Sequence, residues 1–294
     1  MASNYITAAS DSIPSLSSGQ YSTVYNLLSL VIASMLFTGF YVLLAQRRVA
    51  PRYRNALIIS AIVCGIAAYH YFRIFANFKE SYPPGDTTGS AHLLSNIEFN
   101  EAYRYVDWFL TVPLLLVETI VVMALARSVS RNLLIKLVPA AILMIALGYP
   151  GEVTLQTGPR LIWGVLATLP FLYLVYVLFT ELTRALEGKP EAVRRQISTL
   201  RLILVGTWTV YPIAYMFPVF GGDYFGGASG FVLRQAGYSI ADILAKAAFA
   251  LLIYRLARTQ SILDDPARYD DHEISPIAGT VAHDRMSADS SRSA

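Results

Sequence analysis

Seven long apolar stretches, separated by short charged loops, decide what this chain can be. They cover roughly 21–44, 55–78, 101–126, 131–149, 160–184, 196–219 and 228–258. A hydrocarbon core about 30 Å thick takes about 20 apolar residues in helical form. Helix is favoured there because it satisfies every backbone N–H and C=O within one segment. The expectation is an all-α fold, a bundle of seven transmembrane helices, in a multi-pass protein of the cell membrane. Composition agrees: 55% of the 294 residues are hydrophobic and only 15% charged, unlike a soluble domain. A net charge of +3 gives no argument for nucleic acid, and a single cysteine, Cys64, excludes an intrachain disulfide.

Loop charges orient the bundle. The first loop carries Arg47, Arg48, Arg52 and Arg54, the third Arg127 and Arg131, and the fifth Lys189, Arg194 and Arg195. The last span closes on Arg255 and Arg258. The even loops are poorer in basic residues, with Lys79, Glu80, Asp86 and Glu98 in the second, Glu152 in the fourth and Asp223 in the sixth. Basic loops stay in the cytoplasm, so the odd loops and the C-terminus are expected inside and the N-terminus outside. Residues 1–20, polar and Ser-rich, read as a flexible extension without the pattern of a cleaved signal peptide. Residues 21–260 form the membrane domain, and 261–294 read as a disordered acidic tail. Pro83-Pro84-Gly85 in the second loop predicts a turn or short hairpin. No nucleotide loop, metal-ligand cluster or 20–50-residue repeat is present.

Charged residues inside the spans are expensive and mark function. The chain has four lysines, Lys79, Lys136, Lys189 and Lys246, and only Lys246 sits in mid-span. An ammonium there costs about 3 kcal/mol or more on insertion scales. Asp242, four residues earlier, shares its helical face. A structural ion pair is one reading. The other is chemical, since a desolvated amine attacks aldehydes to form a Schiff base, whose charge Asp242 would balance.

The third span holds Arg104, Asp107, Thr111 and Glu118. At about 100° per residue, Thr111 lies about 40°, Glu118 about 20° and Arg104 about 60° from Asp107. All four share one side, and Asp107 and Glu118 are about 16 Å apart along the axis. That spacing suits stations on a proton path. An interhelical salt-bridge network would account for Asp107 with Arg104, but Glu118 has no basic neighbour in sequence.

Three segments carry a resemblance: Arg104-Tyr-Val-Asp-Trp-Phe-Leu-Thr-Val-Pro-Leu, Trp208-Thr-Val-Tyr-Pro-Ile-Ala-Tyr215 and Asp242-Ile-Leu-Ala-Lys246. From Val24 to Arg258 the chain resembles the microbial rhodopsins, seven-helix proteins with retinal bound to a lysine of the last helix. Its Asp107, Thr111, Glu118 triplet is similar to that of bacterial outward proton pumps of the proteorhodopsin and xanthorhodopsin type. Sodium pumps of the family carry Asn, Asp and Gln at these places, and chloride pumps lack the first carboxylate.

The resemblance implies a light-driven outward proton pump, not an enzyme, with all-trans retinal as a protonated Schiff base on Lys246. Asp107 would be counterion and proton acceptor, Asp242 the second counterion, and Arg104 the cation that stabilises the pair from outside. Thr111 would hydrogen-bond Asp107, and His70, in Tyr69-His70-Tyr71, would bond Asp107 and tune its proton affinity. Glu118, among Leu114, Leu115, Val117 and Ile120, would hold a proton and return it to the imine. Trp108, Trp208, Tyr211, Pro212 and Tyr215 would confine the polyene; Met144, Gly148, Gly164 and Thr168 lie at family positions around the ring. Leu115 matches the place where leucine accompanies green absorption. Glycine at the place of Gly164 opens the wall beside the ring, where some xanthorhodopsin-type pumps hold a carotenoid antenna; glycine also serves close helix packing. Archaeal members have paired glutamates near the exit, whereas the sixth loop here offers only Asp223. Expected partners are the lipid bilayer and further copies of the chain in a homo-oligomer. A photosensor with a transducer partner is the competing reading within the family, and a retinal-free seven-helix ion transporter the one outside it.

Overall fold

A computed structural model describes residues 15–83, 91–92, 97, 99–154, 156–220, 225 and 227–269. Its long helices are α1 Ser18–Ala45, α2 Pro51–Ser81, α3 Tyr103–Val122, α4 Arg127–Glu152, α5 Thr157–Phe179 and α6 Glu191–Tyr215. The seventh, α7, runs through Ala228–Asp242, a π-helical turn Ile243–Ala248 and Phe249–Asp264. Among the described residues six helices are individually long and apolar enough to cross a membrane. The seventh is as long, but the π turn around Lys246 divides it. A π turn widens the helix by one residue and is common at functional sites.

Local sequence explains several boundaries. Ser17 and Gln20 form a capping box at the start of α1. Pro51 opens α2 at a position where a missing N–H costs nothing. Prolines also lie inside α3, α4, α5 and α6, as transmembrane helices tolerate more readily than soluble ones.

Neighbouring helices pack in chain order, and α7 closes the ring against α1, α2 and α6. The outer surface of the bundle is apolar as well as its core. Large apolar residues such as Phe37, Ile162 and Leu202 face outward, while Arg104, Asp107, Thr111, Glu118, Gln235, Asp242 and Lys246 are buried. Lipid accepts the first set; only partners inside the bundle can accept the second.

Two expected boundaries shift. Leu16–Ser17 pair antiparallel with Ala91–His92, and α1 begins at Ser18, so residues 16–20 of the expected 1–20 extension are in strand and helix. The second-loop pairing is therefore with the N-terminal segment; the expected turn at Pro83-Pro84-Gly85 falls mostly outside the described residues. The tail does not begin at 261. Helix continues to Asp264 and a short turn covers Pro266–Tyr269. Ser261 is buried and accepts from Ala50 N at 2.8 Å, Arg258 donates to Tyr269 O at 2.8 Å, and Asp264 pairs with Arg52. These bonds tie the segment to the first loop, which acidic composition alone did not show. Residues 270–294 lie outside the described set.

Candidate functional site

Lys246, in the π turn of α7, lies between two carboxylates. Its Nζ donates to Asp107 Oδ2 at 2.5 Å and to Asp242 Oδ1 at 2.8 Å, and all three residues are buried. The i,i+4 spacing places Asp242 on the lysine's own helix face, while Asp107 arrives from α3. Breaking such a buried pair leaves an uncompensated charge and costs about 3–5 kcal/mol.

The two carboxylates are held differently. Asp242 also accepts from Tyr71 Oη at 2.6 Å, Tyr211 Oη at 2.6 Å and Trp108 Nε1 at 3.4 Å. Asp107 Oδ2 accepts from the lysine, and Oδ1 has no hydrogen-bond partner among the described residues. Two expected contacts of Asp107 are not made. Thr111 Oγ1 bonds the Asp107 backbone carbonyl, not its side chain. His70 Nδ1 is buried without a hydrogen bond, and the ring packs edge-on to Tyr69. Helical phase brings Thr111 to the side of Asp107, but the i−4 carbonyl is within closer reach of a threonine hydroxyl.

An apolar cavity of about 240 Å³ adjoins this cluster. Trp108, Trp208, Tyr211, Pro212 and Tyr215 line it, with Met144, Gly148, Gly164 and Thr168 towards α4 and α5. Trp108 and Tyr211 are shared by the cavity wall and the shell of Asp242, which ties the slot to the lysine. Leu115 is buried but does not line the cavity. Tyr105, Val112, Ile145, Leu161, Val165, Phe171 and Met216 line it without having been singled out; as ordinary apolar residues on periodic faces they carry no signal of their own. Gly164 meets Tyr215: a Cβ there would lie 2.9 Å from the Tyr215 ring, and one on Gly151 would overlap its hydroxyl. Both glycines make room for this tyrosine, whose Oη donates to Arg160 O at 2.6 Å.

Glu118 is fully buried towards the odd-loop end of α3. Ser60 of α2 donates to its Oε2 at 2.6 Å, while Oε1 has no partner. Ser60 gave no sequence signal, because a single serine in an apolar helix is commonplace. At the other end Arg104 is held by Gln235 and not by a hydrogen bond to Asp107. It donates to Gln235 Oε1 at 2.7 Å, and Gln235 Nε2 donates to Glu101 Oε1 at 2.9 Å, which Arg234 also contacts at 2.8 Å. Tyr238 lies against the Arg104 guanidinium. Glu152 and Arg160 form a second buried pair at 3.3 Å. This end therefore has two largely buried glutamates, Glu101 and Glu152, contributed by helix ends and not by the sixth loop. Hydropathy places both at span boundaries but does not tell that they turn inward.

Seven membrane-crossing helices closed around a lysine, two carboxylates and an aromatic slot define a multi-pass membrane protein with a buried amine site. The chain belongs to the bacteriorhodopsin-like family, whose model matches residues 22–260. Members are membrane retinal proteins, light-driven pumps or sensors and not enzymes. Green-light absorbing proteorhodopsin of Gamma-proteobacterium EBAC31A08 is 30% identical over 79% of this chain and 85% of its own. Among solved structures, a thermophilic rhodopsin is 44% identical with a TM-score of 0.82, covering 86% of this chain and 99% of its own. Xanthorhodopsin, described as a light-driven ion pump with a dual chromophore, is 42% identical with a TM-score of 0.79, covering 86% and 99%.

Proposed function

We propose that this protein is a light-driven proton pump that moves protons from cytoplasm to outside. The observation that carries the reading is the order of groups along α3: Asp107 in contact with Lys246, and buried Glu118 about 16 Å away towards the basic loops. The family's retinal fits the site, because an apolar, aromatic-walled cavity joins the shell of a buried lysine. Bound there as a Schiff base of Lys246, retinal supplies the light-driven change of geometry at Nζ.

The chain's residues do the rest. Asp242 has its oxygens occupied by two tyrosines, a tryptophan and the lysine, so it serves as a fixed charge. Asp107 has a free oxygen and lies 2.5 Å from Nζ, so it receives the proton held at Nζ. Glu118, out of water and bonded to Ser60, returns a proton to Nζ from the other side. Arg104, linked through Gln235 to Glu101, provides the outward continuation. The basic odd loops support a cytoplasmic location for the Glu118 side.

Illumination of unbuffered cells should acidify the medium, and a protonophore should abolish the change. Alkalinisation, or no change, would overturn the reading. In Glu118→Gln the transfer to Asp107 should persist while the return of a proton to Nζ slows about a hundredfold, within the usual span for losing a positioned acid; flash photolysis reads both steps. A sensor would not need that second group.

Gly164 lies in the cavity wall beside lipid-facing Leu161 and Val165. We infer that a carotenoid ring can approach retinal there, although Gly164 also accommodates Tyr215. Adding a hydroxylated carotenoid should put carotenoid bands into the excitation spectrum of pumping, and Gly164→Trp should remove them. A spectrum without such bands would leave Gly164 with its packing role alone.

A further inference from the structure

The cytoplasmic end of α3 is closed by side chains from two other parts of the chain. The helix ends at Val122, and Ala124 then adopts a left-handed φ of 44°. The last carbonyls of a helix have no partner in their own helix and must be met from elsewhere. Gln260 Nε2 of α7 donates to Val122 O at 2.7 Å, and Lys189 Nζ donates to Met123 O at 3.1 Å. Val122 and Met123 are fully buried. Glu118 is four residues back, about 6 Å along the helix. The two donors therefore cover the shortest way from Glu118 to the cytoplasm along its own helix.

The donors differ in how easily they can leave. Gln260 and its acceptor are both buried, so breaking that bond would strand two polar groups. Lys189 is only half-buried and sits in the loop just ahead of α6, so water can replace its contact. Gly188, with φ +83°, turns the loop so that the lysine reaches α3. Leu182 and Leu186, buried beneath the same connection, hold it against the bundle. A further tie joins α6 to α7, with Gln196 Nε2 donating to Thr259 Oγ1 at 2.8 Å.

We propose that Lys189 is a releasable latch over Glu118, with Gln260 as the fixed side of the same closure. Release of Lys189 from Met123 opens the path by which Glu118 regains a proton from the cytoplasm. Lys189 is a positioning residue in this scheme; it touches neither Glu118 nor the lysine site. The proposal rests on the reading of Glu118 as proton donor.

The test measures proton uptake with a pH-indicating dye after a flash, alongside the absorbance change of the transfer to Asp107. Lys189→Met keeps the apolar stem and removes the donor. It should speed uptake about threefold to tenfold, the range for losing one such bond in the closed state, and leave the first transfer unchanged. Lys189→Arg should restore the wild-type rate. Gly188→Ala, which strains the turn, should act in the same direction as Lys189→Met and stands in for it if that variant yields no pigment. In the unaltered protein, steady light should raise hydrogen exchange at the amides of 122–126. That measurement reads the latch even if Glu118→Gln shows normal kinetics and the donor role itself fails. Lower thermal stability with an unchanged uptake rate, or exchange indifferent to light, would overturn the latch and leave Lys189 as a helix cap.

Discussion

Lys246→Ala yields a chain that binds no retinal covalently and shows no visible band resistant to hydroxylamine. No other amine can take its place. Among the described residues Lys79 and Lys136 belong to other helices and Lys189 to a loop, and none lies between Asp107 and Asp242. The variant also leaves those two carboxylates buried without their cation. Their repulsion costs about 3–5 kcal/mol if both stay charged, and uptake of one proton relieves most of it. The fold is therefore retained with a lowered melting temperature, because the lipid-facing and interhelical surfaces are untouched. Absorption spectra after retinal addition, with circular dichroism as the control for folding, read the result. A normal hydroxylamine-resistant band would remove Lys246 from the site.

Asp107→Asn stops pumping. Asparagine keeps the shape and loses both the charge facing Nζ and the oxygen free to take its proton. Asp242 cannot substitute, since four donors already occupy it. Loss of one negative charge beside the protonated nitrogen also shifts absorption to the red, because ground-state charge at Nζ is less well balanced. Light-induced pH change in cells should fall to background, and flash photolysis should show no deprotonated species. Transport at the unaltered rate would mean that another group accepts the proton. Asp242→Asn makes the informative contrast: it should damage folding and pigment formation more than Asp107→Asn, since it strands Tyr71, Tyr211 and Trp108 together.

Much of the site was legible because membranes make polar residues conspicuous. Lys246, Asp107, Glu118, Asp242 and Arg104 stand out in apolar spans, and helical phase alone puts the α3 residues on one side. The structure buries all five. Phase does not fix which atom a short side chain bonds. Thr111 took the Asp107 backbone carbonyl, His70 Nδ1 found no partner among the described residues, and Arg104 bonded Gln235. Ser60, Gln235 and Gln260 were invisible for the opposite reason, being neutral residues whose meaning depends on a partner in another helix.

The sequence by itself determined the helical bundle, because a continuous apolar span of about 20 residues crosses lipid as a helix that satisfies its own backbone. It also determined which residues carry charge inside that bundle. Only the tertiary structure decided how the charge is shared: three donors from α2, α3 and α6 converge on Asp242 and leave Asp107 the freer carboxylate. The same packing gathered Glu101 and Glu152 at one end and set Lys189 and Gln260 over Glu118 at the other. Apart from the Glu152–Arg160 pair, these contacts join residues separated by tens to hundreds of positions. They are fixed by helix rotation and depth, which the period of a single span does not specify.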